Sequence, residues 1–81
     1  EMIKYGPRML VFDFKDVTFL DSAGIGLILG RYNEISKIRG TIGLINLNNY
    51  IKKIVRISGL FQIMDEYKSL NDFKKKVGIS L

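Results

Sequence analysis

The chain has 81 residues, of which 47% are hydrophobic and 26% charged, as expected for one folded globular domain. It contains no cysteine and no histidine, which excludes disulfides, thiolate metal sites and the commonest general base of enzymes. The formal net charge of +5 raises the question of nucleic-acid binding. However, no DNA-binding motif or groove of interleaved aromatic residues joins the basic residues.

The start of the chain predicts a loop followed by a buried strand. Residues 1–7 read as the end of a loop, with Gly6 and Pro7 as turn residues. Met9–Phe14 is an apolar run of strand length, typical of a strand covered on both faces. Because such a strand needs neighbours on both sides, we expect a further strand pair and a helix upstream of this chain.

A second β-favouring segment, residues 17–20, leads directly into a predicted helix. Asp21 and Ser22 carry helix-start signals. From residue 25 to residue 38 the apolar positions recur at the spacing of one helical face, and Gly40 is a suitable stop. The sequence therefore predicts a strand that runs into a long amphipathic helix.

The rest of the chain repeats this alternation. Residues 41–47 predict a strand, and Asn48 or Asn49 caps a helix that Gly59 closes. Residues 61–64 form a short apolar run that predicts an edge strand. Ser69 or Asn71 then opens a last helix.

The predicted order is β-α-β-α-β-α, which indicates an α/β fold with right-handed crossovers that lay helices on the sheet. We expect residues 1–81 to form a single domain that is incomplete at its N-terminal side. No candidate enzyme site accompanies this fold, since paired carboxylates with an acid-base partner are lacking.

The junction between the first strand region and the first helix is the most unusual stretch, because small residues and a hydroxyl gather there. It reads Asp-Ser-Ala-Gly-Ile-Gly from Asp21 to Gly26. A phosphate at such a helix start is electrostatically tolerated. From the residues alone, the favoured interpretation is structural: Asp21 or Ser22 caps the helix, and Gly24 and Gly26 permit close packing.

Two segments change that interpretation. Residues 21–32, Asp-Ser-Ala-Gly-Ile-Gly-Leu-Ile-Leu-Gly-Arg-Tyr, resemble the signature of the STAS family of anti-sigma factor antagonists, most closely its sporulation branch. Residues 56–63, which contain Ser-Gly-Leu, are similar to the family's second marker. The resemblance covers nearly the whole chain and implies the STAS fold, a mixed sheet with helices packed on it, with the N-terminal strands and first helix absent here.

The resemblance also implies a function without a cofactor. An anti-sigma factor that is itself a serine kinase phosphorylates the position matching Ser22, and only the unmodified form binds that partner and releases the sigma factor. Ala23 stands where many members have a second Ser or Thr. The expected partner-binding residues are Asp21, Ser22, Ala23, Gly24, Gly26, Arg31, Ser58 and Gly59. Two alternatives stay open: Ser58 and Gly59 mainly indicate the end of a helix, and Arg31 and Tyr32 either border this surface or are a solvated residue and a core residue.

Other functions stay open. The chain could be a STAS scaffold module of a stress-signalling complex, the tail of an anion transporter, or a small nucleic-acid-binding protein. We expect a cytoplasmic location with no membrane or nucleic-acid partner, because no secretory signal and no run of about 20 apolar residues is present. If strands are missing upstream, exposed sheet edges could produce a homodimer.

Overall fold

The computed structural model describes residues 2–4 and 8–78, which form a four-stranded mixed sheet with helices on both faces. The strands are β1 (Met2–Lys4), β2 (Met9–Asp13), β3 (Thr41–Ile45) and β4 (Asp65–Tyr67), and they lie side by side in that order. β1 is antiparallel to β2, whereas β2, β3 and β4 are parallel to one another.

The helices connect the parallel strands. α1 (Ser22–Lys37) joins β2 to β3, α2 (Asn49–Ser58) joins β3 to β4, and α3 (Leu70–Lys76) follows β4. Local signals set these boundaries: Asn48 caps α2 through its side chain, Gly59 ends α2 in the left-handed conformation, and Ser69 caps α3. The predicted order β-α-β-α-β-α is confirmed from β2 onward.

Alternate residues of the strands face different helices. On one face, α1 and α2 cover the core formed by Leu10, Phe12, Phe14, Ile28, Ile35, Ile42, Leu44, Ile51, Val55, Leu60 and Met64. On the other face, α3 buries Phe73 against Val11 and Ile45. Gly43 is required there, since a Cβ at that position would lie 2.6 Å from the ring of Phe73.

This topology divides the molecule into two ends. Because β2, β3 and β4 run in one direction, all three helices begin at the end where these strands stop, here called the carboxyl end. The helices then run back and finish at the opposite end, here called the amino end. The junction at Ser22 therefore lies at the carboxyl end, next to the loop that follows β3.

The bounds of the last predicted strand are wrong. Residues 61–64 do not form a strand; Leu60–Gln62 is a single 3₁₀ turn, and β4 begins only at Asp65. The amides of Ile63 and Met64 both bond to the carbonyl oxygen of Leu60, which winds the segment so that Leu60 and Met64 are both buried. An apolar run of this length can fill a core as a turn as well as a strand.

Two further predictions at the start of the chain need correction. Residues 17–20 form an irregular segment, not a strand: the amide of Val17 turns back to the carbonyl of Phe14, while Val17 and Leu20 pack on the core. Met2–Lys4 lies in the region predicted as a loop but is a strand paired with β2. The predicted turn residues Gly6 and Pro7 lie outside the described residues.

Candidate functional site

At the start of α1, the two candidate capping residues, Asp21 and Ser22, have different roles. Asp21 is the cap: its backbone is extended (φ −110°), and its Oδ1 accepts a hydrogen bond from the amide of Gly24 at 3.0 Å. Its carbonyl also accepts the amide of Ile25 at 3.0 Å. The adjacent carboxylate thus already fulfils the capping role that was one interpretation of Ser22.

Ser22 is the first residue of the helix and is exposed. Among the described residues its hydroxyl has no hydrogen-bond partner. The positive end of the dipole of a 16-residue helix lies beneath it, and the first turn contains no acidic residue. The hydroxyl is consequently accessible, and the helix start can accommodate an anion there.

The two glycines of the junction differ in their surroundings. A Cβ on Gly24 would lie 2.7 Å from Leu20 Cδ1, so Gly24 allows the preceding loop to pack closely on α1. A Cβ on Gly26 would meet no atom within 4 Å among the described residues, and the residue is exposed. Packing inside this chain therefore explains Gly24 but not Gly26.

Phe19 is a feature of the site that sequence reasoning missed. It lies three residues before Ser22, and 65% of its surface is exposed. The signal in the sequence is an aromatic residue directly before a helix start, but the β-favouring composition of residues 17–20 predicts a strand there. A large exposed aromatic side chain is a common anchor for a protein partner.

Arg31 lies further along α1, on the flank of an open apolar groove. It pairs with Glu34 at 3.0 Å, while its Nε is buried and has no partner among the described residues. The groove has a volume of about 250 Å³ and is lined by Phe12, Phe14, Val17, Leu20, Gly24, Leu27, Ile28 and Arg31. Of the two positions left open for Tyr32, the structure shows the second: the side chain packs against the core.

Ser58 and Gly59 terminate α2. The Ser58 hydroxyl donates to the carbonyl of Val55 at 2.8 Å, and Gly59 has φ +86°. Both residues lie at the amino end, because α2 begins at the carboxyl end and its ten residues span about 15 Å. The structure thus brings Asp21, Ser22, Ala23, Gly24 and Gly26 together but places Ser58 and Gly59 at the other end of the molecule.

Polar side chains that the sequence did not single out hold the loops of the carboxyl end. Asp13 Oδ1 accepts hydrogen bonds from Asn46 Nδ2 and from the amide of Lys15, both at 2.9 Å. These two bonds lower the pKa of Asp13, the bond from Asn46 having the larger effect. Asn46 has φ +61°, a conformation that asparagine tolerates better than most residues. The pairing joins the ends of β2 and β3.

Membrane spans and metal centres are both absent from residues 2–4 and 8–78. No helix there is long and apolar enough to cross a membrane. No three acidic side chains of that part of the chain lie together in a way that could hold a metal ion.

Comparisons with known proteins identify the family to which the chain is similar. Residues 1–73 match the STAS domain. The anti-sigma F factor antagonist of Paenibacillus polymyxa is 38% identical over 58 residues, which are 72% of this chain and 50% of that protein. The anti-sigma-B factor antagonist of Bacillus subtilis is 35% identical over 51 residues, 63% of this chain and 47% of that protein. The chain thus spans about half the length of these curated relatives.

Solved structures give the same architecture. A Thermotoga maritima chain proposed to be an anti-sigma factor antagonist superposes with a TM-score of 0.79 at 22% identity. The match covers 83% of this chain and 57% of that one. At this identity the likeness concerns the fold.

Proposed function

The chain belongs to the STAS domain family, and from this membership we propose that it is an anti-sigma factor antagonist. In this proposal it binds an anti-sigma factor that has serine kinase activity and thereby frees the sigma factor. Phosphorylation of Ser22 by that partner ends the binding. The action would take place in the cytoplasm, where sigma factors meet RNA polymerase.

One observation carries the proposal: Asp21, not Ser22, caps α1. A serine before a helix is usually there to cap it. Here the capping bond from Gly24 goes to Asp21, and the exposed Ser22 hydroxyl is left without a partner among the described residues. A serine without a structural task, at the start of a long helix, is a suitable phosphate acceptor.

The surroundings of Ser22 also support a protein partner. Phe19 offers an exposed aromatic anchor three residues before it, and Gly26 leaves the backbone of the next helical turn open to close approach. The names of the relatives from Paenibacillus polymyxa and Bacillus subtilis point to anti-sigma factors as the class of partner.

Phosphorylation would change this surface by electrostatics. The phosphate adds about −1.5 to −2 charges at pH 7 and a bulky hydrated group. The helix start tolerates the anion, so α1 itself stays folded. In an interface fitted around a hydroxyl, however, the group must be desolvated next to the Asp21 carboxylate. A penalty of about 3 kcal/mol would weaken the affinity more than 100-fold.

The test is intact mass and site mapping after incubation with an anti-sigma kinase of the same organism and ATP. We expect one phosphate on Ser22 and none on the Ser22→Ala variant. Ser22→Ala should bind the kinase persistently, whereas Ser22→Asp should bind poorly. Both variants are expected to fold, because the residue is exposed and its hydroxyl makes no described contact.

Two outcomes would contradict the proposal. The first is an unmodified Ser22 in a folded protein, with a kinase that phosphorylates another substrate. The second is equal affinity of Ser22→Ala and Ser22→Asp for the partner. Either result would favour a STAS scaffold module or a transporter tail.

A further inference from the structure

The amino end of the molecule carries basic residues contributed by three parts of the fold. Arg8 precedes β2, Lys37 is the last residue of α1, Arg39 lies in the turn between α1 and β3, and Arg56 lies in the last turn of α2. The Arg8 carbonyl accepts the amide of Thr41 at 2.8 Å, so Arg8 lies beside the segment that contains Arg39. Two of these four residues, Lys37 and Arg56, lie in the last turn of a helix, where the dipole favours cations.

Acidic residues are distributed the other way. The carboxyl end holds Asp13, Asp16, Asp21 and Asp72. At the amino end, Glu34 in the last turn of α1 pairs with Arg31 at 3.0 Å, and β4 begins with the exposed Asp65 and with Glu66, which pairs with Lys52 at 3.4 Å. The charge at the amino end is therefore clearly positive, and α3 adds Lys75 and Lys76 from the other face of the sheet.

Exposed isoleucines lie among these cations. Ile38 is 46% exposed between Lys37 and Arg39, and Ile57 is 75% exposed next to Arg56. Ile63, which precedes β4 at the same end, is 39% exposed. We refer to these basic and exposed apolar residues together as the amino-end surface: Arg8, Lys37, Ile38, Arg39, Arg56, Ile57 and Ile63.

We propose that the amino-end surface docks on the surface of an anionic lipid bilayer. Basic side chains near anionic headgroups attract a protein to the membrane, and apolar side chains next to them enter the boundary between headgroups and acyl chains. A nucleic acid would also attract the cations. However, contacts with phosphates are made by charged and polar groups, so they do not explain exposed aliphatic side chains such as Ile57. The combination favours a lipid surface.

This docking differs from the membrane spanning that the sequence excluded. The expectation of no membrane partner rested on the lack of a long apolar stretch, which surface contact does not require. Ser22 lies at the other end of α1, about 24 Å away along the helix. That distance exceeds the Debye length of about 8 Å at physiological salt. A charge at Ser22 is therefore largely screened from the amino-end surface. Because of the same distance, Ser22 also lies outside the contact with the bilayer and stays accessible.

The experiment is cosedimentation of the full chain with vesicles of pure phosphatidylcholine and of phosphatidylcholine containing phosphatidylglycerol. We expect binding to the anionic vesicles only, weakening as salt is raised. Arg56→Gln should reduce the partition coefficient about fivefold, from the usual contribution of one basic residue at a membrane surface. Ile57→Ser should also reduce it severalfold, and its 75% exposure means that folding is little affected.

Matched controls lie at the carboxyl end. Lys15→Gln removes the same charge as Arg56→Gln, and Phe19→Ser removes a comparably exposed apolar side chain, so both should bind vesicles as the wild type does. Equal losses in the control and test variants would overturn the proposal, as would a folded wild type that does not bind anionic vesicles. Salt-dependent binding to DNA that needs Arg56 but not Ile57 would assign the surface to nucleic acid instead.

Discussion

Asn48 Nδ2 donates a hydrogen bond to the carbonyl oxygen of Val17 at 3.3 Å, which ties the start of α2 to the loop that leads to Ser22. The same side chain caps α2, since its Oδ1 accepts the amide of Ile51 at 2.8 Å. One asparagine thus holds two loops of the carboxyl end together.

Two substitutions of Asn48 distinguish the capping of α2 from the hydrogen bond to Val17. Asn48→Ala should lower the free energy of unfolding by about 1 kcal/mol, because the cap is lost. Asn48→Ser keeps a capping oxygen but removes the amide donor, so it should retain most of the stability. Hydrogen exchange of residues 17–20 should nevertheless be faster in both variants. Wild-type exchange in Asn48→Ser would show that the bond to Val17 does not hold the loop.

The bond between Asn46 and Asp13 predicts a dependence of stability on pH. The folded-state pKa of Asp13 is lowered below the usual 3.8, so the contribution of this carboxylate is fully present above the unfolded-state pKa. It is lost as the pH falls through the lower folded-state pKa. Asn46→Gly removes the amide and still accepts the positive φ of this position.

Chemical unfolding of the wild type and Asn46→Gly across this pH range is the measurement. The stability advantage of the wild type should be constant near neutral pH and shrink below pH 3.8. NMR titration should place the pKa of Asp13 closer to 3.8 in the variant. An advantage that stays constant at low pH would mean that the carboxylate charge contributes nothing through Asn46.

Gly26 offers a test in which stability and binding change in opposite directions. Its Cβ position is open, so Gly26→Ala should raise the free energy of unfolding by about 1 kcal/mol through helix propensity. The same methyl group should weaken binding of the anti-sigma factor, if the partner approaches this backbone.

Gly30→Ala is the matched control, because Gly30 is also open in α1 and lies one turn further from Ser22. It should give the same gain in stability and leave the affinity unchanged. Thermal unfolding and titration calorimetry measure the two effects. Unchanged affinity in Gly26→Ala would remove Gly26 from the interface.

Much of the fold could be predicted because its signals are local. The caps of α2 and α3 and the left-handed Gly59 each depend on groups within a few residues. Gly59 ends α2 as predicted, and Asn48 and Ser69 are each one of the two capping residues that the sequence offered. β2 and β3 were recognisable as apolar runs, since parallel strands buried on both faces have no polar side. The last strand is misplaced at residues 61–64 because β4 has the sequence Asp-Glu-Tyr, while the apolar run before it winds into a turn.

For the candidate site, the sequence by itself determined the motif, the exposed start of a helix and the class of fold. It could not choose between Asp21 and Ser22 as the cap, because both side chains carry an acceptor within reach of the same amides. Only the tertiary structure decided that Asp21 takes this role, that Asn48 and Asn46 join loops distant in sequence, and that Ser58 lies far from Ser22. The physical reason is that these relationships depend on how parallel strands align their ends, which no local pattern of residues encodes.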